Sequence, residues 1–325
     1  MSKQIKISFP GFEEKPNRGL KKLLENHNDI FSFDVRKDPK QADFIGITGF
    51  SNYSNVFRLC ETYRDKIIIA RCGEACSIDY NLIDYAIGFD EQKIGDRHFR
   101  PFITCCWLFP DWESKLSAPK DPEVIKKLAT QKSRFCNFIY SNSKAHPNRD
   151  SFFRLLSEYK KVESSGKHLN NQKDELPDCK WSDKEFINFK SRYKFSIAFE
   201  NATHNGYNTE KIATSMLANT IPIYWGDPDI YKYYNTKSFI NCHDYDNFEQ
   251  VLKKVKELDT DSTKYNEMLA EPWLTPMQCK LLAESKLKYG EWLKNIFEQP
   301  HQKAFRKPNG WMNDQYRGLL SSSLS

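Results

Sequence analysis

Glu210 and Lys211 stand side by side at the opening of an expected helix, shortly after an apolar run, KFSIAFEN (194–201), that reads as a strand. Asn208 or Thr209 is the natural N-cap of that helix. Backbone N–H groups exposed at such a start favour an anion. A lysine in the first turn opposes the helix dipole, and a bound anion removes that penalty. The Glu210 carboxylate is suited to accept hydrogen bonds from two vicinal hydroxyls, as on a ribose. The same pair, taken alone, also fits a plain surface ion pair. A second carboxylate, Glu74, lies in a polar turn directly after KIIIARC (66–72), where it is either structural or a base able to take a proton. Asp227-x-Asp229 has the outward form of a metal-holding D-x-D. Pro228 and the position after TIPIYWG (220–226) instead indicate a turn leading into a helix. Asp244-x-Asp246 is weaker still, and no metal site is expected.

These residues need elements to hold them. IKISFPGF (5–12), ADFIGITGF (42–50), KIIIARCGE (66–74) and LIDYAIGFD (82–90) read as strands, with helices at 18–27 and NVFRLCETYR between them. Alternation of this kind marks parallel βαβ units. Prolines and charges over 111–132 break the rhythm, and a second alternating block begins at RFCNFIYSN (134–142). The expected fold is α/β, with two Rossmann-like βαβ domains at 1–130 and 131–298 and a tail at 299–325. Ligands of such sheets bind beyond the carboxyl ends of the strands, so functional residues belong just after strands.

Composition narrows the classes. The 325 residues carry a net charge of +6, modest for the length, which suits an anionic ligand and specifies none. The cluster Lys253, Lys254 and Lys256 reads as the solvated face of a helix, and with no basic-aromatic motif a nucleic-acid partner is not expected. No apolar run approaches the roughly 20 residues needed to span a bilayer, and MSKQIKISFPGF is too short an apolar stretch for a signal peptide. The expectation is therefore a cytoplasmic protein. Its nine cysteines, odd in number and scattered, are expected to be small buried hydrophobes rather than disulfides or a zinc site.

The run YKFSIAFEN, GYNTEKI, ML-NTIPIYWG and KSFINCHDY (193–245) resembles the donor-binding signature of the α-1,3/4-fucosyltransferases, glycosyltransferase family ten. RCGEACSIDYNLIDYAIGFDE (71–91) and the stretch 135–171 resemble bacterial members, so the likeness covers most of 70–245. It implies the GT-B fold, two Rossmann-like domains facing a central cleft, with GDP-fucose held by the C-terminal domain. The N-terminal domain would present the acceptor and the general base. By position, Glu210 is implied as the ribose contact, Lys211 and Arg149 as the diphosphate contacts, Asn201 and Tyr207 as further donor contacts, and Glu74 as the catalytic base. The implied reaction is inverting transfer of L-fucose from GDP-β-L-fucose to a hydroxyl of an N-acetylglucosamine-containing glycan, in α-1,3 linkage, without metal or other cofactor. Alternatives are another nucleotide sugar or a protein acceptor, and Glu163 or Glu200 as the carboxylate. Neither the membrane anchor and C-terminal cysteine motif of animal members nor the heptad array of some bacterial ones is visible. The end, KAFRKPNGWMNDQYRGLL, implies at most weak membrane association.

Overall fold

The computed structural model describes residues 3–10, 18–25, 30–48, 53–89, 94–172, 176–307, 314–315 and 318–319. The ends of several expected elements (11–12, 26–27, 49–50 and 90) and most of the chain after Lys307 lie outside the described residues. The chain forms two compact units, one of 1–108 with 282–325 and one of 109–281.

The first unit is built on six parallel strands: β1 (Lys3–Ser8), β2 (Phe31–Val35), β3 (Phe44–Thr48), β4 (Ile67–Arg71), β5 (Tyr85–Ile87) and β6 (His98–Phe99). Their order is β2-β1-β3-β4-β5-β6. Helices α1 (Arg18–Glu25) and α2 (Tyr53–Thr62) are the crossovers, and α3 (Thr104–Leu108) follows β6. FIGIT and IIIAR are buried in every residue but the last, because helices cover both faces of a parallel sheet. The apolar runs read as strands for that reason.

The second unit has five parallel strands: β7 (Arg134–Phe138), β8 (Val162–Ser164), β9 (Tyr193–Phe199), β10 (Ile221–Trp225) and β11 (Ile240–Asn241), in the order β11-β10-β9-β7-β8. Its helices are α4 (Pro110–Ser117), α5 (Pro122–Thr130), α6 (Asn148–Tyr159), α7 (Lys184–Lys190), α8 (Glu210–Leu217), α9 (Phe248–Thr260) and α10 (Ser262–Ala270). The chain passes from β7 to β8 on one side and returns to β9 on the other. The carboxyl ends of β7 and β9 are therefore the topological switch point, where ligands of open α/β sheets bind.

The units depart from the expected boundaries in two places. Residues 109–130 belong to the second unit: α4 packs on α8, α5 packs on α10, and Ile125 joins the core around Phe195 and Ile223. At the other end α11 (Pro276–Phe297) starts in the second unit, but from Leu282 it belongs to the first, as does α12 (His301–Ala304). Tyr289 donates its hydroxyl hydrogen to the Leu23 carbonyl at 2.7 Å, and Phe297 meets Phe31 and Phe44 edge-on at 5.3 and 4.9 Å. Fully buried Asp84 ties down the segment beyond. It accepts from the Arg306 and Lys307 N–H groups (2.7 and 2.9 Å) and sits 3.0 Å from the Lys307 ammonium. Among the described residues no helix is long and apolar enough to cross a membrane.

The reading of all nine cysteines as free thiols fails at one pair. Cys72 and Cys76 form a disulfide, because the turn after β4 brings their Cα atoms to 6.8 Å. The other seven form no disulfide.

Candidate active site

Five of the six expected site residues fall in the second unit, around the switch point, and Glu74 falls in the first. Arg149 is the second residue of α6 and is 1% exposed. Its guanidinium lies over the Tyr140 ring, 4.2 Å from the centroid. Nη1 donates to Asn201 Oδ1 at 3.1 Å and Nη2 to the Asn142 carbonyl. Tyr140 is fixed in turn: its hydroxyl meets the Ile197 and Phe199 carbonyls (2.9 and 3.1 Å) and accepts the Phe199 N–H at 2.7 Å. A loop after β7, the end of β9 and the start of α6 thus converge on one cation. Burial lowers the Arg149 pKa from the ordinary arginine value, but a guanidinium remains charged. Its Nε is buried with no hydrogen-bond partner among the described residues, and no carboxylate pairs with it there. A buried donor on a charged group without an acceptor is costly, and an anionic ligand would supply the acceptor.

Thr209 is the N-cap of α8, as expected, but its side chain does not cap the helix. It faces Glu200, the residue that follows β9, which is fully buried. Glu200 accepts from the Thr209 N–H (2.8 Å), the Thr209 hydroxyl (2.8 Å to Oε2) and the Lys211 ammonium (3.0 Å). The anion at this helix start is thus the chain's own carboxylate, a role the sequence reading did not see. Lys211 also donates to Thr209 Oγ1 at 2.9 Å and stands 3.5 Å from Glu210. Burial pulls the lysine pKa down, but the Glu200 and Glu210 carboxylates outweigh it and hold the value above that of an ordinary lysine. Lys211 is therefore paired directly with carboxylates, whereas Arg149 feels the Asp150 and Glu200 charges only at longer range.

Gly226 closes this cluster from above. Its φ is +155°, and an added Cβ would stand 2.5 Å from Glu200 Cγ, so only glycine lets the chain leaving β10 cross the buried carboxylate. Gly226→Ala is expected to cost more than about 1 kcal/mol in a denaturant unfolding curve and to weaken GDP binding in a titration.

The remaining expected residues fall as follows. Tyr207 is buried in the loop before α8 and its N–H donates to the His204 carbonyl. The Asn201 carbonyl accepts from the His146 N–H at 2.8 Å. Glu210 opens α8 with its carboxylate partly exposed. Glu74 is exposed in the turn after β4, between the two bonded cysteines. Glu163 is committed elsewhere, to Arg134 Nη1 at 2.8 Å and the Tyr193 hydroxyl at 2.7 Å. The D-x-D carboxylates are likewise occupied: Asp227 accepts from Gly206 N–H, Asn208 Nδ2 and Asp229 N–H, and Asp229 from Asn205 and Lys232. They build the turn that carries Gly206, and among the described residues no cluster of three metal-ligating side chains is present.

Residues 129–302, over half of the chain, match the profile of the glycosyltransferase family 10 (fucosyltransferase) C-terminal region. The chain belongs to this family. It is 32% identical over 257 residues to the α-(1,3)-fucosyltransferase FucT of Helicobacter pylori, covering 71% of this chain and 52% of that protein. It is also 30% identical over 138 residues to GDP-fucose protein O-fucosyltransferase 3 of Gallus gallus, covering 41% of this chain and 29% of the other. It thus spans about half the length, or less, of these curated relatives. Crystal structures of an α1,3-fucosyltransferase superpose along nearly the whole chain. One, with GDP, gives a TM-score of 0.73 at 26% identity and covers 95% of this chain and 94% of that one. Another gives 0.75 at 28%, covering 95% and 93%. The family member described here accordingly has the GT-B fold, as the alternation of elements and the resemblance led one to expect.

Proposed function

We propose that this family 10 chain transfers L-fucose from GDP-β-L-fucose, with inversion, to a hydroxyl of an N-acetylglucosamine-containing glycan, forming an α-1,3 linkage. The observation that carries the reading is Arg149, a buried guanidinium at the switch point with one donor unsatisfied and its other hydrogen bonds made to the neutral Asn201 and Asn142 oxygens. A diphosphate is the ligand chemistry that supplies both an acceptor and negative charge. Lys211 at the start of α8 is tied to Glu200, whose charge also reaches Arg149, and Glu210 beside it is partly exposed and assigned here to the ribose hydroxyls. An α1,3-fucosyltransferase of this fold has been crystallised with GDP-fucose.

An inverting transfer is one in-line displacement. The acceptor oxygen attacks the anomeric carbon as the bond to the β-phosphate breaks, and a base takes the acceptor proton. Negative charge grows on the departing diphosphate, so Arg149 and Lys211 act where charge develops. Glu74 is the carboxylate we assign as base. Neutralisation of the leaving group by side chains leaves a metal no necessary part, and turnover in EDTA is the expected result. Labelled GDP-fucose incubated with an acceptor panel in EDTA should yield product, while UDP- and ADP-sugars should not. Loss of turnover in chelator with recovery on manganese, or preference for another nucleotide sugar, would overturn this reading. The likeness to a protein O-fucosyltransferase favours a second reading, a protein acceptor, which a peptide arm in the same panel separates. The cytoplasmic placement expected from the sequence belongs to this proposal as well.

A further inference from the structure

We propose that His168, in the loop after β8, is a positioning residue for Arg149 and acts on it through Asp150. This role rests on the reading of Arg149 as the diphosphate contact and adds to it the group that fixes where the arginine arm springs from.

The loop after β8 is braced along its length. The Ser164 N–H donates to Asn171 Oδ1 at 2.8 Å, and the Ser164 hydroxyl donates to the His168 carbonyl at 2.8 Å. The Asn171 N–H returns to the Ser164 carbonyl at 3.0 Å, and Asn170 Nδ2 donates to the Gly166 carbonyl at 3.0 Å. Gly166 lies so close to Tyr140 that an added Cβ would stand 2.2 Å from the Tyr140 carbonyl oxygen. Leu169, next to His168, has a φ of +52°. A residue with a branched side chain is strained there, and such strain persists where the surroundings over-determine the backbone, as they do at ligand clamps.

His168 joins this loop to the donor side in two ways. Its N–H donates to the Tyr140 carbonyl at 2.9 Å. Its Nε2 lies 2.8 and 3.0 Å from the two carboxylate oxygens of Asp150. An ionised carboxylate only accepts, so Nε2 carries the hydrogen and donates. The imidazole is sheltered, with a side chain 12% exposed and its centroid 6.1 Å from that of the Phe138 ring. Asp150 directly follows Arg149 in the first turn of α6, a helix that opens at Pro147 without a side-chain cap. His168 thus meets both supports of the guanidinium. Its main chain holds the residue whose ring lies beneath Arg149, and its side chain holds the turn from which Arg149 springs. Asn201 and Asn142 fix the tip of the arginine, and His168 fixes the root. The contact also gives the Asp150 carboxylate, whose charge acts on Arg149, a partner other than that arginine. Alignment matters at such a contact, since misplacement by about 1 Å can cost on the order of 100-fold in rate.

The test measures steady-state transfer from GDP-fucose by the full chain, for wild type, His168→Ala, His168→Gln and Arg149→Lys, and for His168→Ala combined with Arg149→Lys. His168→Ala is expected to lower kcat/KM for the donor about ten-fold. His168→Gln, whose amide can still donate to Asp150, should recover most of that loss. His168→Phe keeps a ring beside Phe138 without the donor, and stands in for the alanine variant where an unfolding curve shows that variant to be poorly folded. Combined with Arg149→Lys, His168→Ala should cost less than about two-fold, because the group it positions has gone and the two effects no longer add. A general loss of structure would instead lower the rate by the same factor with arginine or lysine at 149. That result, or wild-type kcat/KM in both His168→Ala and His168→Phe, would overturn the positioning role. Arg149→Lys alone separates the two ideas. If it is impaired while the His168 variants are not, the reading of Arg149 stands and the role of His168 fails. If it turns over at the wild-type rate, the reading of Arg149 itself fails.

Discussion

Arg149→Lys is expected to lower kcat/KM for GDP-fucose by about 100-fold or more, with most of the loss in kcat. The substitution keeps a positive charge but removes the planar fork that reaches Asn201 and Asn142 together and that is proposed to hold the diphosphate. The reason for so large an effect is electrostatic balance. Lys211 already faces Glu200 and Glu210, so its charge is largely spent within the protein. Arg149 feels the Asp150 and Glu200 charges only at longer range and keeps an unsatisfied Nε, so in the proposed mechanism its charge is the one more available to the leaving diphosphate. Lysine is chosen rather than alanine because deleting a buried, hydrogen-bonded guanidinium would also strand the Asn142 carbonyl. An unfolding curve close to wild type, alongside steady-state kinetics with varied donor, checks both halves of the expectation. A variant that folds normally and retains more than half of wild-type kcat/KM would contradict it.

Glu74→Gln is expected to reduce kcat by about 1,000-fold while leaving the dissociation constant for GDP unchanged. Glutamine preserves size and hydrogen-bonding capacity but cannot take the acceptor proton. The prediction separates chemistry from binding because Glu74 belongs to the first unit and the proposed donor residues to the second. Steady-state transfer and GDP titration on the same preparation give the two numbers. A matched fall in affinity would instead mark Glu74 as a residue that holds the donor.

The parts of this fold that were legible in the sequence are those written locally. IIIAR and YKFSIAF are strands buried on both faces, and their apolar runs say so without help from distant residues. The turn, Thr209 and the opening of α8 could be read for the same reason. Assignment of 109–130 and 282–298 to a unit could not, because a helix pattern does not record which sheet it packs against. Strands as short as β6 and β8 carry too few residues to show a period. In the site, residue type and position pointed to Lys211 and the family resemblance to Arg149, but neither to what surrounds them. Glu200 neutralises the helix start from a neighbouring strand, and Tyr140 supports Arg149 from another, relations that exist only once β7, β9 and α8 are side by side. The spacing of Cys72 and Cys76 was visible, yet a bond across the turn depends on its backbone geometry rather than on spacing.

The most direct measurement of the central claim is a crystal of this chain soaked with GDP. The diphosphate is expected beyond the carboxyl ends of β7 and β9, with a phosphate oxygen within hydrogen-bond distance of Arg149 and another near Lys211. A nucleotide bound elsewhere, with the Arg149 Nε still lacking an acceptor, would contradict it.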